Sequence, residues 1–141
     1  KIDYPAYLKV AAEVEATRRE RRLTEEQFIA LAAQPGTVVL DARSADKFRL
    51  LHIKGAVSLP FTDFTTETLA QVVPSKDTRI LIYCNNNFRN NEVAFATKAA
   101  PAALNISTYV NLVIYGYRNI YELGPLLDVK STKLSLEAAA D

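Results

Sequence analysis

The single cysteine, Cys84, is the residue of this chain best suited to nucleophilic chemistry. It follows Arg79-Ile80-Leu81-Ile82-Tyr83, an apolar, β-rich run that reads as a buried strand, and it precedes Asn85-Asn86-Asn87-Phe88-Arg89. Open α/β sheets bind ligands beyond the carboxyl ends of their strands, so the position suits a reactive group. Asn tolerates left-handed and bridge conformations, and three in succession fit a tight loop that aims its amides inward. Backbone N–H groups curled around one sulfur, with a helix expected directly after them, would make an anion nest that lowers a thiol's pKa. Arg89 adds a permanent planar cation fit for a sulfonate, sulfate or phosphate. The candidate site is therefore Cys84 and Arg89 as catalytic groups, with Asn85, Asn86, Asn87, Phe88 and Arg89 binding substrate. Phe88 is either an apolar wall of that site or plain packing. Taken by themselves, Cys84 and Arg89 more often mean an inert buried thiol and a surface charge.

Composition removes several other chemistries. One Cys leaves no intrachain disulfide, and one His with one Cys cannot assemble the usual structural zinc sets, so neither metal nor cofactor is expected. Lys and Arg number 17 against 16 Asp and Glu, which gives nucleic acid no global charge to bind. The cluster Arg18-Arg19-Glu20-Arg21-Arg22 reads as a solvated helix face. No apolar run approaches the roughly 20 residues a membrane helix needs. A length of 141 residues with 49% hydrophobic content fits one domain with its own core. The chain has no Met and begins Lys1-Ile2-Asp3-Tyr4, which is not a signal peptide. A removed export signal or an excised domain would explain this. The expectation is a periplasmic or otherwise exported protein, with the cytoplasm as the alternative.

The elements that must hold Cys84 follow from hydrophobic spacing. Tyr7, Val10, Ala11 and Val14 recur at helical intervals and predict a helix from Pro5 to Arg22. Thr24-Glu25-Glu26-Gln27 has capping-box form and opens a second helix, which Pro35-Gly36 ends. Thr37 to Leu40 reads as a strand ending at Asp41. Beyond it come a short helix at Ala45–Leu51, a strand at Ala56–Leu59, and a helix at Glu67–Val73. After the Arg79–Tyr83 strand, a helix is expected from about Asn90 to Ala100 and a strand near Ser107–Asn111. Alternating strands and helices imply an α/β fold with a mostly parallel central sheet covered by helices on both faces. The expected organisation is an N-terminal helical extension over 1–23, a domain over 24–128, and a loosely packed tail over 129–141.

Strand, Cys, Arg five positions later, then helix resembles the active-site loop of the rhodanese-like family of sulfurtransferases. Val39-Leu40-Asp41-Ala42-Arg43, Phe48 and His52-Ile53-Lys54-Gly55-Ala56-Val57-Ser58-Leu59-Pro60 are similar to the family's D-V-R…F…G-H-I-x-G-A-x-N-I-P segment. Tyr115-Gly116-Tyr117 and Gly124-Pro125 stand near its G-G-W…G-x-P. Order and spacing agree from about Val38 to Leu126. The resemblance implies a persulfide mechanism: Cys84 takes sulfane sulfur from a small anionic donor of the thiosulfate or polysulfide type and hands it to cyanide, a thiol or a protein acceptor. The short spacing from Cys84 to Arg89 is the family's sulfur-sized loop. Related phosphatases and arsenate reductases carry one residue more.

Departures from the family pattern shape the expectation. Asn85 stands where many active relatives have a first Arg and Asn87 where they have Gly, so the loop carries one cation rather than two. At an effective dielectric near 20, a second cation ~6 Å away is worth on the order of 2–3 kcal/mol to an anion, so thiosulfate is expected to bind weakly. Lys47, Leu51 and Ile120 also depart from the pattern, at positions read as packing. His52 is expected to be a structural, hydrogen-bonded histidine, and Asp41 with Arg43 a buried ion pair or cap. The rival to sulfur transfer is a binding module that keeps the fold and has an unreactive Cys84. A phosphatase or arsenate reductase is less favoured because of the loop length.

Overall fold

A computed structural model describes residues 1–139. Its elements in chain order are α1 (Tyr4–Glu20), β1 (Arg22–Leu23), α2 (Glu25–Ala32), β2 (Val38–Asp41), α3 (Ala45–Leu50), β3 (His52–Ile53), β4 (Val57–Ser58), α4 (Thr66–Val72), β5 (Ile80–Tyr83), β6 (Phe88–Arg89), α5 (Leu104–Ile114), β7 (Ile120–Leu123), β8 (Leu127–Asp128) and β9 (Leu136–Glu137). The central sheet has five parallel strands in the order β1-β7-β5-β2-β4. This is the mostly parallel α/β architecture expected from the alternating elements.

Strand periodicity sorts the core into two layers. Ile80 and Ile82 of β5 face one side, where they join Leu40, Ile120, Val14 of α1, Leu69 of α4, and Tyr109, Val110 and Leu112 of α5. Leu81 and Tyr83 face the other side with Phe28 of α2, Val39, Phe88, Phe95 and Leu123. Burial on both faces is why β5 reads as an unbroken apolar run. Each fully buried Leu, Ile or Phe contributes roughly 1.5–3 kcal/mol, so the sheet centre anchors the fold. The expected capping box forms: Gln27 N–H donates to Thr24 Oγ1 at 3.2 Å and Thr24 N–H to Gln27 Oε1 at 2.9 Å.

Three segments differ from the sequence expectation. The first helix, read as running to Arg22, ends at Glu20, and Arg22–Leu23 forms the edge strand beside β7. No α-helix forms over Asn90–Ala100. Its backbone groups are taken by side chains: Val93 and Ala94 carbonyls accept from Lys47 and Arg43, while Asn86 bonds both the N–H and the carbonyl of Lys98. Ser107–Asn111, read as a strand, lies inside α5, where Asn105, Thr108, Tyr109 and Leu112 are buried at helical spacing. The sheet's remaining strand is Ile120–Leu123. Part of the C-terminal segment is tied down, with Leu136 opposite Ile53 and Glu137 opposite His52 in an antiparallel pair.

Candidate active site

Cys84 directly follows β5 in extended backbone, and strand alternation puts its side chain on the same face as Ile80 and Ile82, toward α1 and α5. It is 2% exposed. The backbone N–H groups of Asn86, Asn105 and Leu104 favour the thiolate, and the Asn87 N–H is directed at the Cys84 side chain as well. Leu104 and Asn105 open the eleven-residue α5, whose first turn has no side-chain cap, so its orphan donors and its dipole are directed at the sulfur. The helix dipole expected at Cys84 therefore comes from α5, after an irregular segment, rather than from a helix directly following the loop. Burial outweighs these donors and pushes the thiol up from its ordinary value, and the Glu122 carboxylate adds to that rise.

Each residue of the Asn-rich loop has a distinct place. Asn85 to Asn87 form one turn of 3₁₀ helix. Asn87 Oδ1 accepts from Cys84 N–H at 2.9 Å and from Asn105 Nδ2 at 3.0 Å. Its Nδ2 donates to the carbonyls of Leu123 at 2.9 Å and Pro125 at 3.0 Å. One amide thus ties the ends of β5 and β7 and the start of α5 together. Asn86 pins the Lys98 backbone through both of its amide atoms. Asn85 is buried with an unpartnered Oδ1 and borders a separate cavity of about 520 Å³ next to Arg43, Ser44 and Lys98. Left-handed backbone occurs at Asn90, φ 71°, rather than within the triplet.

Phe88 and Arg89 leave the Cys84 environment. Phe88 is fully buried, with its ring centroid 4.7 Å from that of Phe95 and 6.1 Å from that of Tyr83. Of the two readings of Phe88, the structure shows packing. Both residues pair with β8, and the alternation of that strand turns Arg89 outward as Phe88 turns in. The Arg89 side chain is 57% exposed, with Nη1 3.4 Å from Asp128 Oδ2. The structure brings Cys84, Asn86 and Asn87 to one cavity of about 270 Å³ and leaves Phe88 and Arg89 outside it.

That cavity also contains residues the sequence reading did not assign to the site: Arg18, Arg22, Asn105 and Glu122. Glu122 lies beside Ile82 in the sheet and Arg22 lies beside Glu122, one row below Cys84. Glu122 is 2% exposed, and Arg18 Nε stands 2.8 Å from its Oε1. Burial pushes the Glu122 carboxyl up, while the Arg18 and Arg22 cations oppose that rise. A signal for this strand was present in Ile120-Tyr121-Glu122-Leu123, a β-prone run with one charge, bounded by Gly124-Pro125.

Neighbouring polar residues support the loop. Asp41 and Arg43 form a buried ion pair at 2.8 Å, and Tyr83 Oη donates to Asp41. Arg43 also donates to the carbonyls of Ala94 and Leu51. His52 hydrogen-bonds the Phe48 carbonyl through Nδ1 and stacks on the Phe48 ring at 3.7 Å. Among the described residues, no three His, Cys, Asp or Glu side chains gather as a metal site, and no helix is long and apolar enough to cross a membrane.

Residues 24–123 match the family model described as the rhodanese-like domain. No curated protein matches the chain. Among solved structures, the crystal structure of a thiosulfate sulfurtransferase from Pseudomonas aeruginosa aligns with TM-score 0.60 at 23% identity, over 95% of this chain and 23% of that one. The solution structure of the rhodanese-like domain of the Alr3790 protein from Anabaena sp. aligns with TM-score 0.59 at 17% identity, over 84% and 80%. At these identities the structures establish a shared fold. With the family model spanning most of the chain and the Asp41–Arg43 and Cys84 segments set at the carboxyl ends of adjacent parallel strands, this chain belongs to the rhodanese-like domain family.

Proposed function

We propose that the protein is a sulfurtransferase that carries sulfane sulfur on Cys84. The observation that supports this most is the place of Cys84, directly after the central strand and at the turn of Asn85–Asn87, beside the uncapped first turn of α5, whose backbone donors favour the thiolate. Donors fixed by a loop and a helix terminus stabilise negative charge on sulfur without reorganising during the reaction. The Cys84 thiolate attacks the outer sulfur of a donor such as thiosulfate. A new S–S bond forms, and the donor's own S–S bond breaks with its electron pair leaving on sulfite. The persulfide's outer sulfur then passes to cyanide or a thiol acceptor, which regenerates the Cys84 thiolate. No cofactor takes part in either step.

A second reading, a rhodanese-like binding module with a silent cysteine, draws on a specific observation. Burial and Glu122 both favour the protonated thiol. The two readings separate in a steady-state assay of thiocyanate formed from thiosulfate and cyanide. Sulfur transfer by Cys84 requires that Cys84→Ser reduce turnover to background with an unchanged circular dichroism spectrum. Equal turnover in that variant would remove Cys84 from the reaction. No turnover in either protein, with any of several donors, would favour the module.

A further inference from the structure

We infer that the charge recognising the anionic donor comes from Arg22, which stands next to the Arg18–Glu122 pair as the free cation that meets the donor's oxyanion end. The inference rests on the sulfur-transfer reading of Cys84 for the identity of the donor, and on geometry for the anion site. Arg22 lies in β1, opposite Glu122 of β7, which lies opposite Ile82 of β5. Paired residues of parallel strands share a face, so these side chains stand in one row beneath the Cys84 sulfur. Arg18, Arg22, Glu122 and Cys84 line the same cavity, whose volume of about 270 Å³ admits a small oxyanion.

The charges in this cavity do not cancel. Arg18 is committed to Glu122, with Nε 2.8 Å from Oε1 and Nη2 donating to Oε2 at 2.9 Å. Arg22 is exposed and, among the described residues, makes no ion pair within 4 Å. Two guanidinium groups against one carboxylate leave the cavity one positive charge, carried by the group with free donors. The cavity also holds Asn105, 95% buried, whose Oδ1 has no partner within the protein. That acceptor suits a protonated group of a bound ligand or a bridging water. The loop's own arginine, Arg89, is turned toward Asp128. Arg18 and Arg22 both precede residue 24, where the family-model match begins, so the N-terminal segment completes the pocket rather than merely covering the sheet.

The test uses the single cysteine, since alkylation then reports Cys84 alone. Iodoacetate and iodoacetamide have similar size and the same reacting carbon, and they differ in charge. The ratio of their rates cancels the fraction of thiolate and isolates attraction for an anion. Arg22→Ala is expected to lower the iodoacetate-to-iodoacetamide ratio about fivefold at low salt. Arg22→Lys should retain it within about twofold, and Arg19→Ala, whose side chain pairs with Glu15 outside the cavity, should leave it unchanged. An Arg22→Ala ratio equal to that of the wild type would overturn the inference. Sulfur loading from thiosulfate is measured on the same proteins and should fall in parallel in Arg22→Ala. If the alkylation ratio falls but thiosulfate loads none of the proteins, the anion site stands and the sulfur-transfer reading fails.

Discussion

Replacing Asn87 with Ala should unfold the protein at markedly lower temperature, because one side chain holds three parts of the site together. The substitution removes four hydrogen bonds: those from Cys84 N–H and Asn105 Nδ2 to Oδ1, and those from Nδ2 to the Leu123 and Pro125 carbonyls. A buried hydrogen bond contributes about 1 kcal/mol net, so losing all four should cost about 4 kcal/mol. For a domain of this length that corresponds to roughly 10–15 °C in Tm. Thermal unfolding followed by circular dichroism measures the shift, and the Cys84 alkylation rate reports whether the sulfur's surroundings loosen with it. Asn87→Asp turns a buried carboxylate oxygen toward the Leu123 and Pro125 carbonyls in place of a donor, so it should destabilise at least as much as Asn87→Ala. A Tm within about 3 °C of wild type for Asn87→Ala would refute the idea that this amide clamps the β5 and β7 ends.

Three further predictions concern the thiol and its support. Burial raises the Cys84 thiol, so its alkylation rate should keep rising with pH beyond the range where an exposed cysteine levels off, and Glu122→Gln should move the profile toward lower pH by removing a nearby negative charge. Because the folded thiol holds its proton more tightly than the unfolded one, its contribution to stability is present below the unfolded pKa and is lost as pH rises through the folded value. Cys84→Ser should therefore show a shallower alkaline fall in Tm than wild type, and parallel falls in the two proteins would count against a raised thiol. Asp41→Asn leaves the buried Arg43 guanidinium without its carboxylate and should cost about 3–5 kcal/mol in urea unfolding. A cost below about 1 kcal/mol would show that the Ala94 and Leu51 carbonyls suffice to hold Arg43.

Local signals made the scaffold legible. The Thr24–Gln27 box, the Pro35-Gly36 stop and the apolar Ile80–Tyr83 run each act over a few residues, and each forms as its residues dictate. The placement of Cys84 at a strand end followed from the same run. What was not legible depended on partners distant in sequence. Asn90–Ala100 has residues that favour a helix, but Arg43, Lys47 and Asn86 claim its backbone groups. Leu104–Ile114 is rich in β-branched residues, yet its burial repeats at helical spacing. Arg89 is next to Phe88 in sequence, and once Phe88 enters the core the strand's alternation directs Arg89 away from Cys84. Arg22 and Glu122 meet only through the order of strands β1-β7-β5, which no short window of sequence contains.

The most direct measurement is the intact mass of the protein after incubation with thiosulfate, and separately with polysulfide, followed by cyanide. Sulfur transfer through Cys84 predicts a gain of one sulfur atom, its release as thiocyanate on adding cyanide, and no gain in Cys84→Ser. A protein that gains no sulfur from either donor, at neutral or alkaline pH, would contradict the account.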